Sequence, residues 1–452
     1  MIDYQDTICA LATPNGVGAI GVIRLSGDKS WEITEALFSK PLKEKLSHTV
    51  HFGTISNRKN ELLDEVLVTL FAHGKSYTGE ESVEISCHGS AFILGKIVAA
   101  LIAEGARLAN PGEFTQRAFL NGKLDLSQAE AVADLIASQS RSAHDIALKQ
   151  LRGNFSSELK DLREKLIHFA SLVELELDFA EEDVEFADRV ELKALVTEVL
   201  AYIERMAASF ELGNAIKNGV PVAIVGAPNT GKSTLLNQLL GENRAIVSDI
   251  AGTTRDVIEE TLNIEGILFR LIDTAGIREG AEEIEALGIE RSKEKINLAT
   301  LVLCLADGSN SKSVATVNNW VEELKITYPN KKITAVLNKM DIASNQNNTN
   351  ALQISAKQGQ NIDQLKTWLV QSVTGDFDLA NDTIVSNARH HEALINTAAS
   401  LQKAKEGLET GITGDFVAMD IRQAMFYLGS ITGDISTDDL LGNIFSKFCI
   451  GK

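Results

Sequence analysis

Eight residues, Gly226-Ala-Pro-Asn229-Thr-Gly231-Lys232-Ser233, combine glycine, lysine and serine at a spacing suited to cradling a polyphosphate. Glycines let backbone N–H groups close around phosphate oxygens, and the run 234–240 reads as a helix whose N-terminus adds positive potential. Lys232 then reaches the β- and γ-phosphates, and the Ser233 hydroxyl binds Mg²⁺. Residues 271–276, Leu-Ile-Asp-Thr-Ala-Gly, end an apolar strand on an acid and a glycine. Asp273 suits the water shell of the magnesium ion, and the Gly276 N–H suits the γ-phosphate. Between these stretches, Gly252-Thr253-Thr254-Arg255-Asp256 offers a second hydroxyl for Mg²⁺, assigned to Thr254. Asn338-Lys339-Met-Asp341 follows another apolar run. The Asp341 carboxylate matches the N1 and exocyclic amine donors of guanine, a pair adenine lacks, and Ser355-Ala356-Lys357 completes the base pocket through a backbone N–H. The order of the four stretches points to GTP hydrolysis.

One part of a common hydrolytic site is absent. Many GTPases place a glutamine just after the Asp-x-x-Gly stretch to orient water, but here Ile277 follows Gly276. Two substitutes are visible. Asn229 is either a turn residue after Pro228 or a ligand for a monovalent cation set between the phosphates. A carboxylate among Glu279, Glu282, Glu283 and Glu285 is the other candidate, acting on water through a second water. Arg255 and Arg278 are either phosphate contacts or surface ion-pair partners.

These residues need several elements to position them. At 452 residues the chain predicts two to four domains, at about 150 residues each. Apolar residues at 44% and charged residues at 23% exclude long disorder, leaving 344–350 as the polar loop. Residues 6–25 read as strand, loop and strand, 63–71 and 82–86 as strands, and 91–104 as a helix. From 124 to 211 the pattern is helical, with Leu159, Leu162, Leu166, Phe169 and Val173 on one face as bundle core. The carboxylates from Glu174 to Glu185 read as a solvated face. Val220 opens an α/β domain, and helical spacing returns over 388–408 and 416–431. The expected architecture is an α+β N-terminal domain, a helical bundle, and a Ras-like G domain inserted into the bundle. The boundaries are 1–121, 122–219 (helical, first part), 220–376 (G domain) and 377–452 (helical, second part).

Composition bears on partners as well. A net charge of −19 opposes nonspecific attraction to nucleic acid or anionic lipid. Four scattered cysteines, Cys9, Cys87, Cys304 and Cys449, form no zinc or disulfide pattern, and no stretch is apolar enough to span a membrane. A soluble cytoplasmic protein is expected.

With these residues in place, the whole chain resembles the MnmE/TrmE family of tRNA-modification GTPases. The likeness rests on the nucleotide stretches, on Ala12-Thr-Pro-Asn-Gly-Val-Gly18 with Arg24-Leu-Ser-Gly27, and on Tyr77-Thr-Gly-Glu-Glu81 and Cys87-His-Gly89. It continues through Pro111-Gly-Glu-Phe-Thr-Gln-Arg-Ala-Phe-Leu-Asn-Gly-Lys123 to the terminal Phe448-Cys-Ile-Gly-Lys452. The resemblance implies a K⁺-activated homodimer whose G domains pair during GTP hydrolysis. With the flavoprotein MnmG/GidA, which uses FAD and NADH in a heterotetrameric complex, it would install a carboxymethylaminomethyl or aminomethyl group at C5 of the tRNA wobble uridine. The one-carbon unit would come from a 5-formyl- or methylene-tetrahydrofolate.

The resemblance also implies residue roles. Asn229, Ser248, Ile250 (through its carbonyl) and Thr253 hold K⁺; Ser233 and Thr254 hold Mg²⁺; Glu285 helps position water beside Asn229, Lys232 and Thr254. Nucleotide contacts extend over Thr230, Gly231, Thr234, Asp249, Ala251, Gly252, Thr274, Ala275, Gly276, Asn338, Lys339, Ser355, Ala356 and Lys357. Arg24, Glu84, Lys123 and Lys452 form the folate set, whose acid suits a pterin edge and whose cations suit a glutamate tail. Cys449 is a candidate for the modification chemistry. A regulatory GTPase without modification chemistry is the competing expectation.

Overall fold

The computed structural model describes residues 6–14, 16–178, 189–243, 260–272, 293–343, 351–410, 413–436 and 438–451. The chain divides into two compact units, one of Met1–Ala133, Lys149–Ser171 and Met425–Lys452, the other of Asp134–Leu148 and Leu172–Ala424.

The first unit is organised on a six-stranded sheet of order β3-β4-β5-β2-β1-β6. Its strands are β1 (Ile8–Leu11), β2 (Ile20–Ser26), β3 (Thr49–Ser56), β4 (Leu62–Phe71), β5 (Ser82–His88) and β6 (Arg107–Leu108). All pairings are antiparallel except β1 with β6. Side chains of period 2 bury Ile23, Leu25, Val66, Val68, Val83 and Ile85 on one face. The helices Ser30–Leu37 and Ala91–Ala103 pack on that face through Ile33, Leu37, Leu94 and Ile97. The other face carries the alternate residues, including Arg24 and Glu84, which lie opposite each other in the β2–β5 register.

The C-terminal end of the chain belongs to this unit as well. Leu441 and Phe445, from the helix Asp438–Phe445, pack with Leu126 and Ala129. Ile450 then forms an antiparallel bridge to Pro111, and the Gly112 N–H donates to the Cys449 carbonyl at 3.3 Å.

The second unit contains the other six-stranded sheet, of order β12-β11-β10-β7-β9-β8. Its strands are β7 (Val220–Gly226), β8 (Glu260–Ile264), β9 (Ile267–Leu271), β10 (Leu301–Asp307), β11 (Lys332–Asn338) and β12 (Leu352–Gln353). All pairings are parallel except β8 with β9. Near-continuous apolar runs such as Val-Pro-Val-Ala-Ile-Val and Leu-Val-Leu-Cys-Leu-Ala suit strands covered on both faces. The chain runs from β7 to β9 on one side and from β7 to β10 on the other. That reversal of strand order opens a crevice at the strands' carboxyl ends.

The helical stretch consists of Leu126–Ala137, Arg141–Leu151, Asn154–Asp178, Arg189–Ala208 and Phe210–Asn218, followed after the sheet by Ala388–Thr410 and Gly414–Thr432. Leu159, Leu162 and Leu166 are buried as expected from their spacing, whereas Phe169 is half-buried beside the buried Ala170. The side chain of Val173, the carboxylates from Glu174 to Glu185 and the loop 344–350 lie outside the described residues.

Candidate functional site

The glycine-rich loop leaves the carboxyl end of β7 and enters the helix Lys232–Asn243. Asn229 is in the left-handed region at φ 61°, so the loop turns sharply with its side chain exposed. Thr230 is buried, and its hydroxyl donates to the Ala227 carbonyl at 2.9 Å. Lys232 folds back over the loop, its Nζ donating to the carbonyls of Gly226 at 2.8 Å and Ala227 at 3.0 Å. An ammonium held among loop carbonyls is placed to turn to phosphate oxygens entering the same concavity. Ser233 and Thr234 are exposed in the first turn of the helix.

Asn338 ends β11 and is 3% exposed. Its Nδ2 donates to the Thr230 carbonyl at 2.9 Å, and its Oδ1 accepts from the Ala356 N–H at 2.9 Å. One amide thus ties the phosphate loop to the loop after β12. Gly231, at φ 94°, lies against that amide, and a Cβ there would collide with the Asn338 Nδ2. Asn338, expected among the nucleotide contacts, also lies inside the protein as a clamp between two loops.

The expected base pocket is built around the same knot. Asp341 is exposed, and its Oδ1 accepts from the Ser355 hydroxyl at 2.6 Å, which fixes the plane of the carboxylate. Ser355 and Gln360 exchange backbone bonds at 3.1 Å, closing the loop that carries Ala356 and Lys357. The Lys339 ammonium forms an ion pair with Asp307 at 2.7 Å. Burial opposes ionisation of Asp307, but bonds from Lys339 and Ser309 outweigh it and hold its carboxyl below the usual range. Asp307 was missed in the sequence, although an acid followed by Gly308 at the end of an apolar strand was the available signal.

Ser248, Asp249, Ile250, Ala251, Gly252, Thr253, Thr254, Arg255 and Asp256 lie outside the described residues. So do Asp273, Thr274, Ala275, Gly276, Ile277, Arg278, Glu279, Glu282, Glu283, Glu285 and the terminal Lys452.

A second constellation occupies the first unit. Arg24 donates to Glu84 Oε1 from Nη2 at 2.8 Å and from Nε at 3.0 Å, with both side chains partly exposed. The guanidinium lies 5.5 Å from the Tyr77 ring centroid and 5.8 Å from that of Phe114. Lys123 donates to the Gly74 carbonyl at 2.6 Å, anchoring it to the turn that precedes Tyr77. Phe114 follows Pro111 and Gly112, the residues on which the C-terminal Cys449 and Ile450 are seated. Arg24, Glu84, Lys123 and Cys449 therefore share one unit, linked through Tyr77, Phe114 and the tail.

The same unit holds an ion network whose members lie far apart in the sequence. Arg117, 1% exposed, binds Glu113 at 3.0 Å, Glu80 at 3.2 Å and Asp6 at 2.5 Å, while Arg107 binds Glu113 at 2.6 Å. Burial raises the pKa values of Asp6 and Glu113, but the arginine bonds more than reverse this and hold both below the ordinary carboxylate range. The cysteines divide sharply. Burial pushes the Cys9 and Cys87 thiols up to about 11 and Cys304 up to about 12, whereas Cys449 is exposed. Among the described residues no group of three or more His, Cys, Asp and Glu forms a metal cluster, and no helix is long and apolar enough to cross a membrane.

Comparison with known proteins extends over the full chain. The family described as the GTP-binding protein TrmE N-terminus matches residues 7–123, and the family described as the MnmE helical domain matches residues 126–449. A Cytophaga hutchinsonii protein named tRNA modification GTPase MnmE is 53% identical, with 100% of this chain and 98% of that protein covered. A Flavobacterium johnsoniae protein of the same name is 51% identical, with 99% of each covered. Among solved structures, Aquifex aeolicus Era bound to GDP.AlF4- shares 29% identity over 40% of this chain and 66% of that chain, with a TM-score of 0.25.

Proposed function

Because the chain belongs to the MnmE family of tRNA modification GTPases, we propose that its GTPase cycle is K⁺-activated and drives folate-dependent modification of the tRNA wobble uridine. The product is a carboxymethylaminomethyl or aminomethyl group at C5, made together with a flavin- and NADH-using partner. Pairing of two G domains accompanies hydrolysis within a homodimer. The domain boundaries 1–121, 122–219, 220–376 and 377–452 are part of the same reading.

The observation that carries the nucleotide half is the Asn338 knot, which holds the phosphate loop and the guanine loop in one rigid frame. Within it, Asp341 reads the guanine edge, Lys232 neutralises phosphate charge, and the Ser233 hydroxyl is a ligand for Mg²⁺. The left-handed backbone at Asn229 leaves its exposed carboxamide available as a ligand for K⁺, with Ser248, the Ile250 carbonyl and Thr253 completing the set. A bound K⁺ supplies positive charge where the β–γ bond breaks, in place of an arginine finger. Thr254 and Asp273 complete the Mg²⁺ site, and Glu285 positions water.

The folate half is supported by the Arg24–Glu84 pair flanked by Tyr77 and Phe114. An aromatic-lined carboxylate and cation suit a flat heterocycle with an anionic tail, and Lys123, Lys452 and Cys449 are part of the same proposal. The net charge of −19 supports a reading in which the flavoprotein partner supplies much of the tRNA contact.

Mass spectrometry of tRNA nucleosides from cells lacking and regaining the protein tests the proposal. The C5-modified wobble uridine should vanish without the chain and return with it. Unchanged nucleosides would leave a GTPase without this modification role.

A further inference from the structure

The turn joining β8 to β9 does more than connect two strands. Ile264 and Ile267 are paired across it, and the intervening Glu265 and Gly266 are both left-handed, at φ 51° and 84°, as a two-residue hairpin requires. Leu262, Ile264, Ile267, Phe269 and Leu271 are all buried in the sheet core, which makes the hairpin a stiff lever. At its tip the Gly266 carbonyl accepts from the Ser142 N–H at 3.1 Å. Ser142 is in the first turn of the helix Arg141–Leu151, where the N–H has no intrahelical partner. The fit is close: a Cβ on Gly266 would come within 3.1 Å of the Ser142 Oγ and 3.4 Å of the Arg141 Cβ.

The base of the lever joins the chemistry by covalent continuity. β8 continues the segment that contains Thr253 and Thr254, and β9 runs through Ile272 into Asp273 and Gly276. Base and tip are separated by about 14 Å, four strand residues. The same helical segment, 134–148, is fastened to the approach to β7. Lys217, from the helix Phe210–Asn218, pairs with Asp134 at 2.6 Å, and Ile146 packs on Leu212 and Ile216. Between them is a cavity of about 30 Å³, room for one water, bordered by Asp134, Ile146, Gly213 and Lys217.

We propose that the Glu265-Gly266 tip, seated on the first turn of helix Arg141–Leu151, carries the nucleotide state of the G domain to the helical segment 134–148. Gly266 and Ser142 are its positioning residues. The inference rests on the GTPase reading above. A nucleotide-dependent displacement at the hairpin base, Glu260 and Leu271, passes through the seat to the helix because the packed strands move as a body.

Hydrogen exchange of the full chain with GDP or the non-hydrolysable analogue GMPPNP, in Mg²⁺ and K⁺, tests this. In the unmodified protein, amides of 141–151 should change exchange rate between the two nucleotides by about fivefold or more. Gly266→Val crowds the seat, and Ser142→Pro removes its N–H donor at a first-turn position where the helix does not need it. Both should abolish the nucleotide-dependent difference and lower tRNA modification about tenfold, while nucleotide affinity and GTP turnover persist. If Gly266→Val fails to fold, Ser142→Pro decides the matter, since it leaves the hairpin untouched. Equal exchange of 141–151 in both nucleotides, or variants that keep the difference, would overturn the inference. Failure of the unmodified protein to bind either nucleotide would overturn the GTPase reading itself and the inference with it.

Discussion

The two sheets place charged residues by opposite means. In the antiparallel sheet, Arg24 and Glu84 meet across strands because the register sets them opposite, although they are 60 residues apart. In the same unit Asp6, Glu80, Arg107, Glu113 and Arg117 share one ion network. In the parallel sheet, Lys232, Asp307, Asn338 and Asp341 sit at strand carboxyl ends or in the loops and helix that follow them. In the first case distant residues are paired through register and burial; in the second, polar groups gather in consecutive loops at one end of the sheet.

This contrast can be broken from either side. Arg117→Ala leaves the fully buried Glu113 and its neighbour Asp6 short of a partner, so urea unfolding should show a loss of about 3–5 kcal/mol, with GTP turnover retained. A matching loss of turnover would show that the two regions are not separable. Lys232→Ala should do the reverse, lowering turnover about 10²–10³-fold, equivalent to about 3–4 kcal/mol, with an unchanged thermal midpoint. Retained hydrolysis would remove Lys232 from the site.

The smallest effect concerns acid. Asp6 and Glu113 have folded-state pKa values below their unfolded ones, so their contribution is present above the ordinary carboxylate range and is lost as pH falls through the lowered values. Calorimetry below about pH 4 should show the midpoint of the first unit falling by about 4–8 °C, and Arg117→Ala should blunt that fall. An identical acid response in the variant would detach the network from it.

The strands and loops that carry residues 226–233, 338–341 and 355–357 were legible because a loop of fixed length after a strand leaves its residues adjacent in the chain. Helices 388–410 and 414–432 were legible from period alone. Asp307 and the five-residue ion network were not, since acids and arginines far apart in sequence read as surface charges until burial and register bring them together. The helix Ser30–Leu37 and strand β3 also escaped notice, being short and lacking strong periodicity.

The sequence by itself determined the fold class and the GTPase family, and it supplied the residue types proposed for phosphate, magnesium and guanine. Tertiary structure alone decided that Asn338 is a clamp, that Arg24 faces Glu84, that the C-terminal tail rests on Pro111 and Gly112, and that Gly266 is seated on Ser142. The reason is physical. Local backbone geometry is written in neighbouring residues, whereas strand register and helix docking are set by burial of surfaces from distant parts of the chain, and only the folded protein brings those surfaces together.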